Sequence, residues 1–242
     1  MSLPKLMFPN YEVVIPSSGK TIMFRPFLVK EEKILLMAAD SNDPNEVVNT
    51  VKQILMNCII DDINLDKLPF FDVDYIFNMI RAKSISEKIE IELRCNVENN
   101  EGQICGNIFD SEIDLTKAKI VKDDNIVQKI SLGNNVIIKM KYPSYSDIRT
   151  LKENQDTIDI KIDLIVRCVE YIAEGDNLKS PNKDFTYEEL REFLENLSVD
   201  SFKKLEDFVD NFPYFVLDHQ AKCTRCGFIH QNSYRDLENF FR

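Results

Sequence analysis

Four of the six cysteines constrain this chain more than any other feature. Cys95 and Cys105-Gly106 lie near the middle, Cys223-Thr224-Arg225-Cys226-Gly227 lies near the end, and 118 positions separate the two pairs (105 to 223). Two thiolates with two residues between them bracket a tight turn, and the glycine after the second lets amide groups approach its sulfur. Between Cys95 and Cys105, Asn99, Asn100 and Gly102 supply a turn that can fold those two sulfurs together. Ile104-Cys105-Gly106-Asn107-Ile108 also rhymes with Arg225-Cys226-Gly227-Phe228-Ile229. Four thiolates about 2.3 Å from one ion make the closed tetrahedron of a structural zinc site, with no position left for water or substrate. The expectation is a structural Zn2+ held by Cys95, Cys105, Cys223 and Cys226. Three rival readings stand beside it: Cys223 and Cys226 with His230, a redox-active pair, or four unrelated thiols. Redox chemistry favours Cys-x-x-Cys at a helix N-terminus, whereas this pair follows one apparent strand and precedes another. His219 shares a strand face with Cys223 and suits a packed or hydrogen-bonded role.

The elements around the cysteines predict an α+β chain of two pseudo-repeated halves, 1–118 and 119–242, joined by the clasp as in a zinc ribbon. In the first half, extended segments between Tyr11 and Phe27 flank Ser17-Ser18-Gly19-Lys20, which suits a hairpin. Helices follow over Val29–Ala39, from Asp43-Pro44 onward, and from about Asp72 to Ala82. Glu87–Cys95 then alternates Ile89, Ile91, Leu93 and Cys95 against Glu90, Glu92 and Arg94, the pattern of a half-buried strand. The second half repeats the order. A strand over Asn135–Tyr142 is closed by Pro143, a short helix spans Asp147–Lys152, and a long helix spans Thr157–Ala173. Thr186 with Glu189 forms a capping box for a further helix, another carries Phe202, Leu205, Phe208, Val209 and Phe212, and a strand runs from Tyr214 to Cys223. Ile165-Val166-Arg167-Cys168-Val169 echoes Leu55-Met56-Asn57-Cys58-Ile59, and Cys58 and Cys168 sit in apolar stripes as small hydrophobes. Glu174–Asp184 is the best loop or boundary candidate.

Composition narrows the function classes. Thirty Lys and Arg against forty-one Asp and Glu give −11 at pH 7, which repels phosphate backbones, so no nucleic-acid partner is expected. The largest basic cluster, Lys129 to Lys141, is only modestly basic. The longest apolar run, Ile34–Ala39, is far short of the roughly 20 residues that cross a bilayer, so no membrane partner is expected and the protein should be soluble. Met1–Pro9 lacks the blocks of a secretory signal, which leaves disulfides a poor default. Two histidines and six glycines give little material for His-based catalysis or a phosphate loop. No catalytic residue and no small-molecule substrate is expected. Asp61-Asp62 and Asp72-x-Asp74 could ligate a cation, but acids at helix ends commonly cap or stay solvated.

The segment Met23-Phe24-Arg25-Pro26-Phe27-Leu28-Val29-Lys30-Glu31-Glu32-Lys33-Ile34-Leu35-Leu36, after the opening Leu3-Pro4-Lys5-Leu6, resembles the T4-like bacteriophage baseplate protein family, the hub proteins of contractile tails. The paired cysteines fit it too. The resemblance is best over the first forty residues and looser beyond. It implies a non-catalytic virion-structural or assembly role in the tail baseplate, assembled in the host cytoplasm, with other hub and tail proteins as partners. It leaves open whether the chain stays in the finished particle. A zinc-ribbon adaptor or regulator that binds proteins or nucleic acid is the alternative. Arg25 can pair with Glu31 and Glu32 or reach a neighbouring subunit. Leu3, Leu6, Met7 and Phe8 at one end, and Tyr234, Leu237, Phe240 and Phe241 at the other, are candidate contact patches.

Overall fold

The computed structural model describes residues 7–40, 43–99, 101–149, 151 and 157–235. The expected first hairpin forms from β1 (Tyr11–Val14) and β2 (Thr21–Phe24). Its turn is held from outside, because the Ser17 amide (2.9 Å) and hydroxyl both donate to the buried Asp72 carboxylate. Three helices follow: α1 (Val29–Ala39), α2 (Pro44–Cys58) and α3 (Phe70–Ser84). The Asp43 side chain accepts the Asn45 amide at the start of α2, and proline at the first helical position costs no hydrogen bond. Next come β3 (Lys88–Arg94), β4 (Ile108–Asp114), β5 (Lys119–Val121), β6 (Lys129–Gly133) and β7 (Val136–Met140). The chain continues through α4 (Tyr145–Arg149), α5 (Thr157–Cys168), β8 (Val169–Glu174), β9 (Asn177–Lys179), α6 (Tyr187–Glu195), α7 (Val199–Asp210), β10 (Tyr214–Lys222) and β11 (Ile229–Tyr234). The result is a mixed α+β protein with four small antiparallel sheets among the described residues: β1-β2, β3-β4, β6-β7-β8-β9 and β11-β10-β5.

Three expectations need correction. The helix predicted over Thr157–Ala173 ends at Cys168, and Val169–Glu174 is a strand paired with β7. The open edge of β7 captures a stretch rich in β-branched and aromatic residues, and tertiary pairing overrides a periodicity that fitted a helix. The proposed loop Glu174–Asp184 accordingly contains the turn of the β8–β9 hairpin, at Gly175 with φ +58°, and the strand β9. The short helix lies slightly earlier than expected, at Tyr145–Arg149; Lys152 is outside the described residues.

One strand–helix joint is built twice. Arg25, directly after β2, donates its amide to the Cys58 carbonyl (2.9 Å), and Phe24 bridges Ile59. Lys141, directly after β7, donates to the Cys168 carbonyl (2.7 Å), and Met140 pairs with Val169. Each cysteine ends its helix fully buried, so the echo between Leu55–Ile59 and Ile165–Val169 corresponds to a shared local geometry. Burial pushes the Cys58 thiol up to about 11 and Cys168 higher still, as inert core thiols require.

Two main cores result. One gathers residues from the first hairpin, α1–α3, Ile113 and Leu115, together with Phe215 and Leu217 of β10. The other fills the space between the four-stranded sheet and α5, α6 and α7. Between them runs an aromatic seam in which Tyr142 touches Phe71, Phe208 and Phe212 at ring separations of 5.4, 5.7 and 6.0 Å.

Arg25 pairs within the chain. Its Nη2 lies 2.9 Å from Glu31 Oε1, and Glu31 Oε2 accepts the Leu28 amide (2.7 Å). Burial works to raise the Glu31 pKa, but the Arg25 hydrogen bond, the Leu28 amide and the charges of Arg25 and Lys30 hold it below its ordinary 4.5. A carboxyl depressed on folding adds stability that is present above the unfolded pKa and lost as pH falls through the folded one. Glu31→Gln is therefore expected to cost roughly 1–3 kcal/mol at neutral pH. It should also flatten the part of the acid-unfolding curve below about pH 4.5. Urea midpoints measured from neutral to acid pH check this, and parallel curves for both proteins would contradict it.

Candidate metal centre

The two cysteine pairs cap two hairpins. Cys95 follows β3 and Cys105 precedes β4; Cys223 follows β10 and Cys226 precedes β11. Two backbone bonds of each frame correspond. Cys95 N–H donates to Asn107 O (2.8 Å) and Gly106 N–H to Cys95 O (2.9 Å), while Cys223 N–H donates to Phe228 O (2.8 Å) and Gly227 N–H to Cys223 O (3.0 Å). Both bends require glycine, with φ +62° at Gly106 and +75° at Gly227. The longer first loop closes on Asn99, whose side-chain oxygen accepts the amides of Glu101 and Gln103 at 3.0 and 2.9 Å. Asn100, the remaining member of the expected turn, is outside the described residues.

All four sulfurs lie within 4.8 Å of one another. The short separations cross between hairpins: Cys95 to Cys226 is 3.6 Å and Cys105 to Cys223 is 3.9 Å. A tetrahedron with metal–sulfur bonds of about 2.3 Å has edges of about 3.8 Å, whereas a disulfide needs sulfurs about 2.05 Å apart. The cluster thus has the size of a metal cage, and these four residues could hold an ion. Cys95 and Cys223 are buried, Cys105 is half-buried and Cys226 is exposed. Burial pushes the Cys95 thiol up, while the amide of Cys226, opposed by burial and helped by the amide of Arg225, pulls Cys223 down to about 6. Amide donors aimed at a sulfur favour the thiolate, the form that binds metal.

Contacts between the hairpins brace the cluster. Asn107 Nδ2 donates to Cys223 Sγ (3.5 Å) and to Thr224 Oγ1 (2.9 Å), and Arg225 Nη1 donates to Cys105 O (2.9 Å). Cys95, Phe109, Ala221 and Cys223 form a small core of their own. Asn107 and Arg225 were not singled out from the sequence. Their positions beside Cys-Gly and within Cys-x-x-Cys are the signal that points to them. His230 packs on the rings of Phe109 and Phe228 (5.9 and 5.0 Å) and is outside the four-sulfur group. His219 Nε2 lies 2.9 Å from Ser111 Oγ. The paired acids have structural partners: Asp61 accepts the Met23 amide, Asp72 holds Ser17, and Asp74 pairs with Arg149.

Small sheets and helices surround two matching cysteine hairpins whose four sulfurs are brought together and could hold a metal ion. Residues 8–242 match the family of the T4 bacteriophage base plate protein, and the chain belongs to that family. No curated protein and no solved structure matches it. The family implies a place in the phage tail among other tail proteins, and no helix among the described residues is long and apolar enough to cross a membrane.

Proposed function

We propose that this protein is a non-catalytic structural or assembly component of the baseplate hub of a contractile phage tail. It acts through contacts with other hub and tail proteins, with no nucleic acid, membrane or small-molecule substrate as partner. One Zn2+ on Cys95, Cys105, Cys223 and Cys226 staples two related halves, 1–118 and 119–242. The observation that carries the role is the family match across nearly the whole chain. The cage-sized spacing of the sulfurs supports the ion, and the repeated strand–helix joint and matching cysteine turns support the related halves. Such a protein works by being rigid, and a closed site adds rigidity without reactivity.

Complementation tests the role. A phage lacking this chain should accumulate incomplete baseplates, wild-type protein should restore them, and Cys58→Ala should restore them as well because Cys58 lies in the first core. Complete baseplates formed without the chain would contradict the proposal. Met7 and Phe8 are 96% and 44% exposed, which suits a contact patch, whereas Tyr234 packs on the first core. Leu3, Leu6, Leu237, Phe240 and Phe241 are outside the described residues.

A further inference from the structure

A groove of about 470 Å³ opens where the first hairpin, α3, β5 and the aromatic seam meet. Val14, Phe71, Tyr75, Tyr142 and Pro213 give it an apolar floor. Along one side run Ala118, Lys119 and Ile120, consecutive residues whose side chains alternate between the faces of a strand. The groove therefore follows the edge of the strand. That edge is open, since β5 is the last strand of its sheet and pairs only with β10. Lys119 and Lys122 are the charged groups of the lining, and no acid joins them, in a chain that carries −11. Each lysine touches one exposed acid, Lys119 with Asp218 (2.8 Å) and Lys122 with Asp124 (3.1 Å). An ammonium has three donors, so each retains capacity for another carboxylate. Among the described residues nothing hydrogen-bonds the hydroxyls of Tyr75 and Tyr142.

We propose that this groove is a docking site for an extended, acidic segment of a partner protein, which adds a strand to β5 and seats an apolar side chain among Val14, Phe71 and Tyr142. Backbone bonds to the open edge supply affinity that tolerates sequence variation, and the apolar floor and the two lysines supply selectivity. Lysine on so short an edge also discourages pairing with basic strands. The proposal rests on the reading that the chain works through protein contacts, and it names where and with what chemistry.

The test selects binders of the full-length protein from a displayed random-peptide library and titrates one synthetic peptide from the enriched set. Binders should alternate apolar residues with Asp or Glu and lack proline at the pairing positions. Their affinity should fall at least tenfold for Val14→Asp and for Lys122→Glu, two exposed positions, and stay unchanged for Val199→Asp, an exposed position on α7 outside the groove lining. Melting curves matching wild type show that the variants fold, and amide exchange should slow in the complex at the β5 position whose N–H faces the open edge rather than β10. Basic binders, no enriched set, or binding indifferent to the groove variants would overturn the docking site. Particle assembly scored separately with the same variants keeps the structural role a distinct question.

Discussion

Cys223→Ser is expected to empty the clasp and release the cysteine hairpins while both helical cores remain folded. Structural zinc contributes on the order of 10 kcal/mol in small finger domains at pH 7. In the proposed site that free energy would fall on a local unit, because Cys95, Phe109, Ala221 and Cys223 form only a small core between the two hairpins. Removing one ligand leaves three of the four sulfurs that lie within 4.8 Å of one another, too few to close a tetrahedral structural site. Hydrogen exchange should therefore accelerate by orders of magnitude at Cys95, Cys105 and Gly227, whose amides donate within the turns, and change little in α2 and α5. Each kcal/mol lost globally lowers the melting midpoint by about 2–4 °C in a chain of this size. Unaltered exchange in the two turns would show that they fold without metal. Cys168→Ala, in the second core, should leave metal content unchanged and cost only the packing of a small side chain.

The second large effect is expected from Phe215→Ala. Phe215 is 2% exposed and sits at the start of β10, where it pairs with Ile120 of β5 and enters the core made mostly by the first hairpin and α1–α3. It anchors the strand that leads into Cys223. Truncating a fully buried phenylalanine costs about 3–5 kcal/mol. Because the β10–β11 hairpin carries two of the four sulfurs at its turn, the loss should also weaken metal retention. Urea unfolding and competition with a chromogenic chelator would measure both. A stability loss with metal affinity unchanged would mean that the clasp positions itself independently of the core.

Local signals made the meeting of the four cysteines legible in the sequence. Cys-x-x-Cys-Gly and the Asn-Gly loop between Cys95 and Cys105 each specify a turn within a few residues, and alternation in β3 and β10 brings both turns to strand ends. The first hairpin, α1 and the Thr186–Glu189 capping box were readable for the same reason. Long-range capture was not readable. β8 is a strand because β7 offers it an edge, and its sequence fits a continuing helix equally well. β6 was missed although Gly133-Asn134-Asn135, all at positive φ, turns the chain between alternating segments. β4 becomes evident only against β3, whose register sets Glu90 opposite Glu112 and Glu92 opposite Asp110. β5 is three residues long and exists through its pairing with β10. The braces Asn107 and Arg225 act across more than a hundred positions, beyond the reach of any local pattern.

X-ray absorption at the zinc edge of the purified, full-length protein tests the central claim most directly. One zinc per chain with four sulfur neighbours at about 2.3 Å is the predicted result. A shell containing nitrogen or oxygen, or cysteines oxidised in pairs with no metal bound, would contradict it.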